Sequence, residues 1–218
     1  MPELPAPLPP GERTIGQLIA EAIRAYGSHF WQALPLGLPL ALIDQLCAGQ
    51  PLGVQVLVYW AAGPLVVVAY VRACSLVYGV PASRTAYLVA FVVYLAFPPL
   101  RAVYLLPGLA WLAFIGLSVP AALVERLGFR DALARGRVLG TADYVHSLGS
   151  LAALVLVVGI ADNTLIALLH SQSEASARVA LALSDIVLSP LLYLGGALLY
   201  ADQAARVGSP RRDRRRSR

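Results

Sequence analysis

Five residues with polar or charged side chains, Asp44, Arg101, Asp162, Asn163 and Asp185, sit inside otherwise apolar stretches of this 218-residue chain. Counting back to the outer helix ends puts all five at a common depth of roughly 6–12 Å, at ~1.5 Å per helical residue. A charge at the centre of a bilayer costs at least ~2.5–3.5 kcal/mol, so such groups turn toward the bundle and find partners. A guanidinium cannot shed its proton to escape that cost. Arg101 is therefore expected to face the bundle near Asp162 or Asp185. With three acids and one arginine, at least one carboxyl is left to take a proton, bind a cation or meet water. This is either an ion or polar-substrate site opening outward, or a polar cluster that fixes helix register or reaches the outer headgroups.

Other chemistry is thinly represented. The chain has no Gly-rich phosphate loop, no His-Glu-x-x-His, no Gly-x-Ser-x-Gly and no paired cysteines. His29, His146 and His170 are scattered and read as interfacial polar residues at helix ends. Cys47 and Cys74 fall at opposite ends of the first expected hairpin, about one ~30 Å hydrocarbon core apart, too far for a disulfide. Neither has metal-ligand spacing, so both read as packed thiols. No metal, no cofactor and no enzymatic activity are expected.

The elements that position the polar residues are long and apolar. Hydrophobic residues make up 58% of the chain and charged residues 13%, against about 25% charged in soluble domains. Six stretches, roughly 30–48, 54–73, 86–106, 108–124, 148–169 and 179–200, approach the ~20 residues that cross a bilayer. Segments such as Leu109–Val124 are apolar all round, as a membrane helix is. The expected fold is an all-α integral membrane protein, a six-helix bundle spanning 30–203. Gly49–Gly53 and Pro107–Gly108 read as tight turns within hairpins. A short helix is expected at Arg130–Leu139. Pro64, Pro98, Pro99, Pro120 and Pro190 each remove a backbone hydrogen bond and can kink their spans.

Residues 1–12 are Pro-rich and read as disordered, without the features of a signal peptide. The first span, from Phe30, then serves as an uncleaved insertion signal. An amphipathic helix over 13–29 follows the Pro-rich start. Thr14 and Gln17 have capping-box spacing, and Ile15, Leu18, Ile19, Ala22, Ile23 and Tyr26 share one face. This helix lies in the membrane interface or folds against the bundle.

All 17 basic residues are arginine, a bias that looks like a GC-rich bacterial genome. Six of them, Arg211, Arg212, Arg214, Arg215, Arg216 and Arg218, crowd the far end of the 204–218 tail. With six spans, these and Arg13, Arg24, Arg72, Arg84, Arg126, Arg130, Arg135, Arg137 and Arg206 fall on one side. Only Arg101 and Arg178 fall toward the other. The positive-inside rule then makes both termini cytoplasmic. The tail suits contact with anionic lipid or an acidic partner, and no nucleic acid.

Two segments carry a family resemblance. One is RTIGQLIAEAIRAYGSHFWQAL, from Arg13. The other is LPGLAWLAFIGLSVPAALVERLGFRDALARGRVLGTADYVHSLG, from Leu106 to Gly149. Together they resemble bacterial multi-pass proteins related to the membrane domain of glycerophosphoryl diester phosphodiesterases. Relatives often have Arg-Ser-Trp where this chain has Arg135, Gly136 and Arg137. The phosphodiesterase catalytic domain is absent, so the resemblance implies a fold and a membrane location, not that enzymatic activity. The expected function is a non-enzymatic membrane protein organising lipid or partner proteins in the bacterial cytoplasmic membrane. The alternatives are a small transporter or permease subunit using the polar cluster, and a membrane-embedded enzyme.

Overall fold

The computed structural model describes residues 9–169 and 173–208. The expected disorder of residues 1–8, His170 with the turn around it, and the tail arginines Arg211, Arg212, Arg214, Arg215, Arg216 and Arg218 lie outside the described residues. Among the described residues there are helices and turns and no strand. The helices are α1 (Ile15–Ser28), α2 (Phe30–Ala33), α3 (Leu38–Cys47), α4 (Leu52–Ala61), α5 (Gly63–Tyr78), α6 (Arg84–Leu95) and α7 (Phe97–Val103). They continue as α8 (Leu105–Ile115), α9 (Ser118–Val124), α10 (Phe129–Ala142), α11 (Tyr144–Leu169), α12 (Glu174–Leu188) and α13 (Pro190–Gly208).

Four helical stretches are long and apolar enough to cross a membrane: Arg84–Val103, Leu105–Val124, Tyr144–Leu169 and Ala175–Gly208. A fifth is reached if α4 and α5, bent by 52° at Ala62, count as one broken span. The expected six are not reached because 30–48 is no single helix. Pro35, Gly37 and Pro39 divide it into α2, a 3₁₀ turn over Leu34–Gly37, and the ten-residue α3. A proline at a helix start loses nothing there, whereas inside a helix it removes a bond.

The other prolines act as expected. Pro64, Pro98, Pro99, Pro120 and Pro190 each sit in the first turn of a helix that follows a break. Each break frees backbone carbonyls, and aromatic side chains cover several of them. Pro99 has no N–H for the Leu95 carbonyl, which instead accepts from Trp60 Nε1 at 3.1 Å. Trp111 Nε1 donates to the Val93 carbonyl at 2.8 Å, and the buried Tyr94 hydroxyl donates to the Tyr59 carbonyl at 2.9 Å beside the Ala62 bend. Trp60, Tyr94 and Trp111 are therefore helix-break partners. Tyr94→Phe should cost about 1–2 kcal/mol by stranding that carbonyl. Melting of the purified protein in detergent would register the loss, and an unchanged midpoint would show that the bond carries nothing.

The hairpin turn expected at Pro107–Gly108 is displaced. The chain reverses at Tyr104, which is extended (φ −160°, ψ 160°), and Pro107 and Gly108 lie in the first turns of α8. Gly108 packs there against the Phe97 ring. Thr14 and Gln17 form the expected capping box. Leu18 and Ala22 of α1 are fully buried against Leu139, Leu154 and Leu199. The apolar face of α1 thus packs on the bundle, on α13 above all.

Between spans, α10 runs three residues beyond its expected end, and it is packed closely rather than lying free. Ala132, Gly136, Leu139 and Gly140 are buried along one face. A Cβ on Gly136 would run into the Ser118 hydroxyl and lie 2.6 Å from the Ser118 nitrogen. One on Gly140 would strike the Phe114 carbonyl oxygen and lie 2.7 Å from that of Ala113. Two glycines four apart let the α10 backbone touch that of α8 and α9.

Candidate functional site

Four of the five polar residues meet in one cavity of about 360 Å³ inside the bundle. Asp44 comes from α3, Arg101 from α7, Asp162 from α11 and Asp185 from α12. Their elements are brought together by the breaks just described. Gly37 makes the close crossing of the first segment over α12. A Cβ there would strike the Ile186 carbonyl oxygen and lie 2.7 Å from its carbon. Pro190 leaves that same carbonyl without its helical donor. Ser189, next to it, is buried and donates to the Asp185 carbonyl. Gln45 Nε2 reaches the Arg178 carbonyl at 3.1 Å and ties α3 to α12 along its length.

The carboxyls are held differently. Asp162 accepts from Ser184 Oγ at 2.6 Å. Asp185 is only 6% exposed. Asp44 is the most open of the three. Arg101 faces the cavity as expected, but it makes no ion pair among the described residues. Its guanidinium stacks over the Tyr59 ring, 4.3 Å from the centroid. A cation over an aromatic face is stabilised by roughly 0.5–2 kcal/mol and needs no carboxylate.

Asn163 does not join them. It is exposed and donates back to the Gly159 carbonyl at 2.7 Å, four residues earlier on its own helix. One helical position is about 100° of rotation, so Asp162 and its neighbour cannot share a face. The sequence reading missed Tyr193, which lines the same cavity at 8% exposure with an unpartnered hydroxyl. The available signal was a tyrosine in the middle of an apolar run, eight residues beyond Asp185. Buried tyrosine hydroxyls ordinarily find a partner.

Below its polar end the cavity is apolar. It follows α11 from Asp162 through Val158 and Leu154 to Leu151. The eleven helical steps between Leu151 and Asp162 cover about 16 Å at ~1.5 Å each. Leu199 and Leu117 line it as well. No group of three or more His, Cys, Asp or Glu suited to a metal is present among the described residues.

A second polar cluster, at the other end of α13, fastens the bundle. Asp202 is fully buried. It accepts from the Gly11 backbone N–H at 3.0 Å and from Arg206 Nη2 at 3.3 Å, and His146 Nε2 lies 3.0 Å away. Arg206 also pairs with Asp143 at 2.5 Å. Nearby, Glu125 accepts from Tyr200 at 2.8 Å and from Arg135 at 2.9 Å. His146 is therefore part of a packed network rather than a free interfacial group. Cys47 and Cys74 are both unbridged and belong to separate apolar clusters. Comparison with family models, curated proteins and solved structures returns no match to this chain.

Proposed function

We propose that this chain is a multi-pass membrane protein that holds one amphiphile inside its helix bundle, a lipid-handling role without bond-making chemistry. The observation that carries the reading is the shape of the cavity: a polar end of four ionisable groups above an apolar shaft about 16 Å deep. An apolar cavity is a poor home for water. Inside a bilayer the abundant molecules with one polar end and an apolar remainder are lipids. The volume, about 360 Å³, is near the lower end of the ~300–1,000 Å³ typical of ligand pockets.

Native mass spectrometry in mild detergent should find one amphiphile per chain. Gly159 lines the cavity, and a Cβ there would meet nothing within 4 Å. Gly159→Phe should therefore remove most of the adduct while leaving the melting point within a few degrees. A wild-type chain that always flies bare would rule the reading out.

Passage of the amphiphile between leaflets or to a partner is the second reading. It is supported by the helix breaks at Ala62, Ala96 and Ser189, which flank the polar end, as broken helices flank transporter sites. The wider setting belongs to the same proposal: a bacterial cytoplasmic membrane, α1 at the inner face, both termini cytoplasmic, and tail arginines against anionic lipid. The relationship to the glycerophosphoryl diester phosphodiesterase membrane domain rests on the two segments quoted above and is proposed with it. Reporter fusions after Gly208 and between α11 and α12 should place the first inside and the second outside. The reverse labelling would overturn the orientation.

A further inference from the structure

We infer that the amphiphile has a single aliphatic chain and a cationic, hydrogen-bond-donating head such as a primary ammonium. The inference rests on the amphiphile reading and adds the chemistry of the ligand. Chain number follows from size. A cavity of about 360 Å³ lies near the bottom of the ligand-pocket range, which suits one chain with a small head rather than a two-chain phospholipid. The shaft is walled by Leu151, Leu154 and Val158 of α11 and by Leu199 of α13.

Head chemistry follows from what lines the polar end. Three carboxyls face one guanidinium there. The guanidinium is already engaged on the Tyr59 ring. An anionic head would find a single occupied cation among three carboxyls. An ammonium would find the opposite. One further group is aimed into the same space without a partner, the hydroxyl of Tyr193, 8% exposed, and the carboxyl of Asp185, 6% exposed, lines that space with it. A buried polar group left without a partner is costly, so an orphaned hydroxyl facing a cavity marks where a ligand's polar atoms go. An ammonium has three donors. It can satisfy Asp185, share Asp162 with Ser184, and meet the Tyr193 oxygen, while Asp44 at the open side completes the field.

The test uses the intact protein and three probes with the same chain: dodecylamine, dodecanol and dodecanoate, supplied in equal amounts and read as adducts by native mass spectrometry. Wild type should carry dodecylamine at least tenfold over dodecanoate, with dodecanol between them. Asp185→Asn and Asp162→Asn keep side-chain shape, and each should bring that ratio to within about threefold. Asp131→Asn, exposed on α10, should leave the ratio unchanged and controls for net charge. Binding with dodecanoate equal to or ahead of dodecylamine would overturn the cationic head while sparing the amphiphile reading. A wild-type preference that survives both substitutions would overturn the assignment to these carboxyls. Absence of every adduct from wild type would instead remove the amphiphile reading itself.

Discussion

Gly140→Leu should leave little or no folded protein, and Gly136→Leu should do nearly the same. Both glycines face backbone, not flexible side chains. Gly140 is pressed on the Phe114 and Ala113 carbonyls, and Gly136 on the Ser118 main chain. A side chain cannot be accommodated by a rotamer change when the obstacle is a helix backbone. Overpacking ordinarily costs ~1–3 kcal/mol and more where backbone must move. A helix pushed off α8 and α9 also uncovers Leu139, which is fully buried among Leu18, Leu117 and Leu199. The expected loss is therefore above about 3 kcal/mol, a large share of the ~5–15 kcal/mol that holds a domain together. Ala134→Leu, on the exposed face of the same helix, should be nearly neutral. Yield of monodisperse protein and melting in detergent separate the cases. Equal behaviour of Gly140→Leu and Ala134→Leu would mean that α10 does not pack this way.

Asp202→Ala carries the second large effect. The carboxylate is fully buried and is approached by Gly11 N, Arg206 Nη2 and His146 Nε2. Removing one member of a buried charged set leaves the others unpaired, at roughly 3–5 kcal/mol. Arg206 keeps Asp143, so the expected loss is about 3 kcal/mol. Asp202→Asn retains the shape and one acceptor and should lose about half as much. The segment around Gly11 loses its tie to α13, so limited proteolysis should begin there in Asp202→Ala before the bundle melts. For contrast, the Glu21–Arg24 pair on α1 is open to solvent on the arginine side. Its removal should cost well under ~1 kcal/mol. An Asp202→Ala protein as stable as wild type would show that the network is decorative.

Composition and hydropathy made the membrane character and the all-helical class legible, since both are sums over many residues. The depth count brought Asp44, Arg101, Asp162 and Asp185 to one level, and they do share one cavity. It failed for Asn163, because depth says nothing about which way a side chain points around its helix. Arg101 was expected beside a carboxylate. Tyr59 offers it an aromatic face instead, and no local pattern pairs residues forty-two apart. The first span was read from apolar content alone, although Pro35, Gly37 and Pro39 already spelled the breaks. Gly136 and Gly140 were passed over for a different reason. The polar residues around them read as a solvated connection, in which close backbone packing has no place. Asp202 was passed over too: Arg206 is only one turn away on the same helix, but Gly11 and His146 converge on it from far along the chain.

The central claim is that an aliphatic chain lies in the shaft beneath the four ionisable groups. Crystals grown with dodecylamine carrying a terminal bromine would test it by anomalous diffraction. The account predicts one bromine peak between Leu151 and Leu199, about 16 Å from the carboxyls. Bromine found only on the outer, lipid-facing surface, with the shaft closed or filled by water, would contradict it.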